Sequence, residues 1–140
     1  MEQRSARDGW DRVEVGSLIG NLPELLAWAI AAPTTRIVII EPDGGGRYVQ
    51  ALCAKGDIHV ECSSDAFLEE DERLGLDEEL ALISAGFEPP SECCPNWSWD
   101  AEGIGASIEA AAKLAEGIFG VLRIEVGRSA WLRQFDGQPC

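Results

Sequence analysis

Histidine occurs once in 140 residues, and Lys and Arg together number 11 against 25 Asp and Glu. A lone histidine, His59, excludes a multi-histidine zinc site. It leaves one candidate for a histidine general base, beside the plainer reading of an exposed or satisfied strand residue. The shortage of cations leaves a net charge of −14. That excludes the Lys/Arg cluster on which nucleic acid or an anionic membrane would depend. Long apolar runs are missing too, since none approaches the roughly 18 residues of a membrane span. Leu22–Ala32 is apolar but short, Glu24 interrupts it, and acidic residues precede it where a signal peptide would be basic. The chain is therefore read as cytoplasmic. No Cys-X-X-Cys, Gly-X-Ser-X-Gly or Walker sequence occurs. The five cysteines, Cys53, Cys62, Cys93, Cys94 and Cys140, are odd in number and have no framework spacing, so reduced thiols are expected. Cys53 and Cys62 fall in strand-like segments as small core residues, whereas Cys93 and Cys94 are adjacent and could bridge only with strain.

What is present suffices for one domain. An apolar share of 46% with 26% charged residues is that of an ordinary globular protein, so disorder is disfavoured. Residues 1–9 are polar and without period. From Trp10 to Ala32 apolar residues recur mostly three or four apart, a helical spacing that Gly16, Gly20 and Pro23 interrupt. Asn21 is a possible cap for a fresh helix, leaving the conformation of 10–20 open, and Pro33 ends it. Arg36–Glu41 is β-branched and precedes a turn at Pro42–Gly46. Arg47–Lys55 and Ile58–Ser63 follow as strands joined by Lys55-Gly56-Asp57, short enough to force an antiparallel hairpin. Ile58, Val60 and Cys62 alternate with His59, Glu61 and Ser63, which predicts a sheet with one wet face.

After the charged run Glu69–Arg73, Asp77 is placed to cap a helix from Glu78 to about Ala85, with Gly86 at its C′ position. Residues 87–103 hold three prolines and two tryptophans and read as a structured loop. A helix follows, lined by Ile104, Ile108, Ala111, Ala115, Ile118 and Phe119, with Glu109 and Lys113 paired outside. Its alanine-rich face is expected to pack on the sheet. Gly120 stops it, and Val121–Gly127 reads as a last strand with Leu122, Ile124 and Val126 inward. A strand block followed by a helix block gives an α+β fold: an antiparallel sheet, made of a three-strand meander plus the C-terminal strand, covered on one face by helices.

Arg47-Tyr48-Val49-Gln50, the acidic strand Ile58–Cys62 leading into Phe67-Leu68, the piece Leu80–Pro90 and Asn96-Trp97 together resemble the TY-Chap domain, a family similar to YbjN proteins and type III secretion chaperones. The resemblance spans about residues 10–127 as a single domain and leaves 1–9 and 128–140 as terminal extensions. Gly86-Phe87 stands where the family has Gly-Trp, and Cys93-Cys94 is not a family feature. The resemblance implies a chaperone-like fold with binding rather than chemistry, and it supplies no catalytic residues.

Asp43-Gly44-Gly45-Gly46 is followed by a strand, not by the helix a phosphate loop needs, and reads as a hairpin turn. Glu61, Cys62, Asp65, Glu69, Glu70 and Asp71 match no EF-hand or zinc spacing and read as a solvated face. The alternative is a small metal-dependent enzyme or regulator using the acidic segment 61–72. The tryptophans carry the stronger signal. Trp97 and Trp99 are expected to face opposite ways, one locking the loop to the core and the other staying partly exposed, as aromatic anchors of binding patches do. Trp97, Trp99, Tyr48 and Phe67 are thus the candidate protein-binding residues, with no catalytic or metal site and no cofactor. The expected partner is a protein with basic residues at the contact, with a homodimer also possible.

Overall fold

The structure, a computed structural model, describes residues 9–43, 46–54, 56–64, 73–103 and 105–136. In chain order these form β1 (Trp10–Glu14), α1 (Val15–Ile30), β2 (Arg36–Glu41), β3 (Val49–Ala54), β4 (Asp57–Cys62), α2 (Leu76–Ser84), β5 (Trp97–Glu102), α3 (Ala106–Gly120) and β6 (Ser129–Asp136). The fold is α+β. Its six strands make one open, wholly antiparallel sheet in the order β1-β6-β2-β3-β4-β5. The meander β2-β3-β4 is paired as expected, with Ile39 opposite Gln50 and Gln50 opposite Glu61.

Alternation decides which residues the sheet buries. Val38 and Ile40, Val49, Ala51 and Cys53, Ile58, Val60 and Cys62 are all within 1% of full burial. They face α1 and α3, which lie side by side on that face. α3 presents Ala106, Ala110, Ala111, Leu114, Gly117 and Ile118 to the core. This face is rotated from the expected one. Ala111 and Ile118 are inside, while Ile108 is 67% exposed and Phe119 46% exposed. Ile104 lies outside the described residues. The rotation follows from the small residues, because a helix lies closest to a sheet where its side chains are smallest. A Cβ on Gly117 would stand 2.7 Å from Val49 Cγ1 and 2.8 Å from Cys62 Sγ. Lys113 does not pair with Glu109 either; it donates to the Ala85 carbonyl at the end of α2.

One point left open, the conformation of residues 10–20, is settled, and two further expectations are overturned. First, residues 10–14 form an edge strand, and α1 begins at Val15, not at Asn21. Its N-cap is Glu14, whose Oε2 accepts from Gly16 N at 2.6 Å and from Gly127 N at 2.7 Å, and whose Oε1 accepts from Ser17 N at 2.9 Å. Pro23 sits inside the helix and so removes the hydrogen bond to the Ile19 carbonyl. Second, Val121–Gly127 is not a strand. The Leu122 and Ile124 amides bond back to the carbonyls of Gly117 and Ile118. Arg123 and Gly127 turn the chain through positive φ values of 58° and 96°. The alternation misleads because Leu122 and Ile124 are buried against the helix end while Val126 is 65% exposed. The last strand is β6, from residues placed outside the resemblance, and it lies between β1 and β2. Third, residues 97–102 are a strand rather than loop. α2 also starts before Asp77: Gly75 is its N-cap, with Glu78 Oε1 accepting from Gly75 N at 2.8 Å. Gly86 does close that helix at φ +99°, as Phe87 N returns to the Leu82 carbonyl.

Two substitutions test the close approach of α3. Gly117→Ala should destabilise the fold, because overpacking costs about 1–3 kcal/mol and outweighs the roughly 1 kcal/mol that Ala gains over Gly within a helix. Gly20→Ala, in α1 with nothing within 4 Å of the added Cβ, should stabilise it. Urea melts of both variants check the opposite signs. Glu14 supplies a further test. The amides of Gly16, Gly127 and Ser17 hold its carboxyl at about 2, down from 4.5. A depressed folded value means stability present above pH 4.5 and lost as pH falls toward about 2. Glu14→Gln should therefore be weaker than wild type at neutral pH and lose less between those limits, read from urea midpoints across pH.

Candidate functional site

The face of the sheet opposite α1 and α3 carries no described helix. Alternation places on it Trp10 and Arg12 of β1, Trp131, Arg133 and Phe135 of β6, Ile37 and Ile39 of β2, Gln50 and Leu52 of β3, His59 and Glu61 of β4, and Ser98 and Asp100 of β5. Three zones follow. On β1 and β6 arginines sit over aromatics, Arg12 at 5.4 Å from the Trp131 ring and Arg133 at 4.4 Å from Phe135. Ile37, Ile39 and Leu52 form a half-buried apolar centre. On β4 and β5 the surface is polar and acidic.

The acidic zone is a single hydrogen-bonded chain. Asn96 Nδ2 donates to the Tyr48 hydroxyl at 2.7 Å and to Glu61 Oε1 at 3.0 Å, and Gln50 Nε2 donates to the same oxygen at 3.1 Å. Glu61 Oε2 lies 2.8 Å from His59 Nε2, and Asp100 Oδ1 lies 2.7 Å from His59 Nδ1. An ionised carboxylate only accepts, so with both carboxylates charged both ring nitrogens must donate, and the imidazole is a cation. Partial burial on its own would lower the His59 pKa, but the Asp100 and Glu61 carboxylates together raise it above 6.5. Burial would likewise raise Glu61; the amides of Asn96 and Gln50 and the His59 ring outweigh it, so Glu61 is lowered. Beside this chain Leu52, Ala54, Asp57, His59, Asp100 and Glu102 line most of a shallow depression of about 480 Å³.

The candidate binding residues do not share one surface. Tyr48 is half-buried at the head of the polar chain on the open face. Trp97 and Trp99 are on the other face and on the same side as each other, opposite Cys62 and Val60. The expectation that they face opposite ways fails because residues two apart on a strand share a face. Trp97 is 4% exposed and leaves no surface for a partner. Trp99 is partly buried at the sheet edge, under the Lys113 ammonium 5.7 Å from its ring centroid. Phe67 lies outside the described residues, as do Asp65, Glu69, Glu70 and Asp71 of the acidic segment. Among the described residues no group of three His, Cys, Asp or Glu could hold a metal ion. Cys53 and Cys62 are buried, with thiols pushed up to about 11 and about 12 chiefly by desolvation; Cys93 and Cys94 are exposed. No helix of the described residues is long and apolar enough to cross a membrane.

The open sheet face thus combines an apolar centre with a polar flank, and no described helix covers it. Residues 20–134 match the model of the T3SS (YopN, CesT) and YbjN peptide-binding chaperone 3 family, TY-Chap3. The chain belongs to this family. Comparison with curated proteins and with solved structures returns no match. The TY-Chap3 match runs through β6 to residue 134, past the end of the sequence resemblance, and takes in the Tyr48–Asn96–Glu61–His59–Asp100 chain entire.

Sequence reasoning weighed Glu61 as a metal ligand and His59 as a bland strand residue, and it missed Gln50 and Asp100. The hairpin register does set Gln50 across from Glu61, a signal available from the short turn at Gly56. Asp100 was out of reach while residues 97–102 read as loop. The single histidine gives a direct test of the site. A raised folded pKa contributes stability that is present below pH 6.5 and lost as pH rises through the folded value. An NMR titration of the one imidazole should place it above 6.5, and Asp100→Asn should bring it down. A ring titrating at or below 6.5 in the wild type would contradict the two-carboxylate geometry.

Proposed function

We propose that this TY-Chap3 domain is a non-catalytic binding module that holds an extended client segment on the open sheet face, apolar residues over Ile37, Ile39 and Leu52 and a basic residue at the Glu61–Asp100 side. One observation carries the reading: on this uncovered face an apolar centre runs directly into carboxylates whose geometry is already fixed by hydrogen bonds. Fixed carboxylates cost little entropy to use, since their side chains are ordered before the partner arrives. His59 tunes the acidic zone, because its proton neutralises part of the charge of Glu61 and Asp100. A basic side chain approaching from the client competes for the same oxygens and is favoured where His59 is neutral. Tyr48 closes the polar end.

The net charge of −14 draws a basic client in but adds little to the final affinity, whereas the desolvated apolar centre sets the residence time. The test uses labelled synthetic peptides that alternate Leu with Lys, with Leu–Glu and scrambled controls, followed by fluorescence anisotropy. The Leu–Lys peptide should bind best, more tightly as pH rises through the His59 titration, and salt should slow its association. Leu52→Glu should weaken it by about tenfold or more, roughly 1.4 kcal/mol. Equal binding by wild type and Leu52→Glu, or a preference for the Leu–Glu peptide, would rule this face out.

A further inference from the structure

α2 turns its apolar stripe away from the molecule. Of its nine residues only Leu82 is buried, while Leu76, Leu80 and Ile83, spaced i, i+4, i+7, are 70%, 50% and 48% exposed. That spacing puts all three on one side of the helix, roughly 100–160° round the axis from Leu82. Large aliphatic side chains scattered singly over a surface need no explanation, but three in one stripe over two turns do. On a different side of α2, a groove of about 590 Å³ toward α3 is lined by Ala81, Leu82, Ser84 and Ala85 and by Phe119 and Gly120, and takes in none of the stripe. Small side chains give it depth, and Phe119, 46% exposed, stands at its rim.

Charge decides what fits there. Glu78 and Glu116 border the groove, and Asp77 and Glu79 flank the stripe. Arg123 is already held by Glu78, at 2.5 and 2.8 Å, and Lys113 by the Ala85 carbonyl. Among the described residues Asp77 and Glu79 form no ion pair, so their carboxylates are open to a cationic partner. A second copy of the chain would set these same carboxylates against each other and bring −14 to −14. A cationic partner meets the opposite situation, in which complementary charge assists the burial of the stripe.

We propose that the outward apolar stripe of α2 is a second docking surface, for an amphipathic helix of another protein whose apolar i, i+4, i+7 stripe is flanked by Lys or Arg. It is recognition of one helix face by another, distinct in place and in geometry from an extended segment on the open sheet face. The two surfaces lie on different elements, so a client with a helical and an extended part can use both.

The probe is a labelled synthetic helix with Leu at i, i+4, i+7 and Lys on its flanks, read by anisotropy against two controls: a scramble of the same composition and a version with Glu for Lys. The periodic Lys helix should bind wild-type protein about tenfold or more tighter than either control. Leu80→Asp with Ile83→Asp should remove that preference while the protein still melts cooperatively, since both side chains are about half exposed and outside the core. Asp77→Lys with Glu79→Lys should shift preference toward the Glu helix. Leu52→Glu on the sheet face should leave all of this unaltered, which separates this surface from the first. Equal binding by the scramble, or unaltered binding by the Leu80/Ile83 variant, would overturn the proposal. So would a wild-type dimer in light scattering that this variant dissociates, because the stripe would then belong to a second copy.

Discussion

The missing side chain at Gly117 sets the spacing of the whole molecule. With Val49 Cγ1 and Cys62 Sγ 2.7 and 2.8 Å from where a Cβ would stand, α3 rests with its backbone almost on β3 and β4. Ala110, Ala111 and Ala106 continue the contact toward the helix start, all within 7% of full burial. A helix this close to a sheet buries apolar area through many short dispersion contacts rather than through large side chains. That leaves the sheet's core face filled by two helices, and the third, α2, packs by Leu82 alone. The uncovered sheet face and the outward stripe of α2 are both consequences of a core completed by α1 and α3.

Charge is distributed along the same lines. On the open face Arg12 and Arg133 lie over Trp131 and Phe135 of β6, with Arg12 also held by Asp43 at 2.6 Å, while the Glu61 and Asp100 carboxylates gather on β4 and β5. The acidic end is held in place by amides and one imidazole, not by lysine or arginine. Its charge therefore depends on the protonation of that imidazole, whose pKa is raised above 6.5.

Much of the fold was legible because one physical signal, alternation beside a short turn, is strong in β2, β3 and β4. The same signal was present at Trp97-Ser98-Trp99-Asp100-Ala101-Glu102, with a strict period of two, but the flanking prolines and the aromatic content drew the reading toward a loop. That one misreading hid Asp100, and with it half of the His59 site. At β6 the signal itself is weak. Ala130, Trp131 and Leu132 are all buried in succession, because Trp131 is covered on the open face as well, so inward and outward residues do not differ in polarity. Val121–Gly127 shows the converse, an alternating run that the helix end captures through backbone hydrogen bonds no composition reveals.

Glu14 joins these threads, since its carboxylate ties together parts of the chain more than a hundred residues apart. The amides of Gly16 and Ser17 begin α1, and the amide of Gly127 ends the turn that leads into β6. One charged group thereby fixes where α1 starts and where the strand between β1 and β2 enters the sheet. A neutral amide in its place would keep the shape but weaken the bonds, because hydrogen bonds to a charged acceptor are roughly twice as strong as neutral ones. The acceptor also has little freedom to be replaced from solvent, as three backbone amides converge on it and water would have to supply each bond separately. By bonding the end of β1 to the turn before β6, the Glu14 carboxylate helps to hold side by side two strands that are distant in sequence.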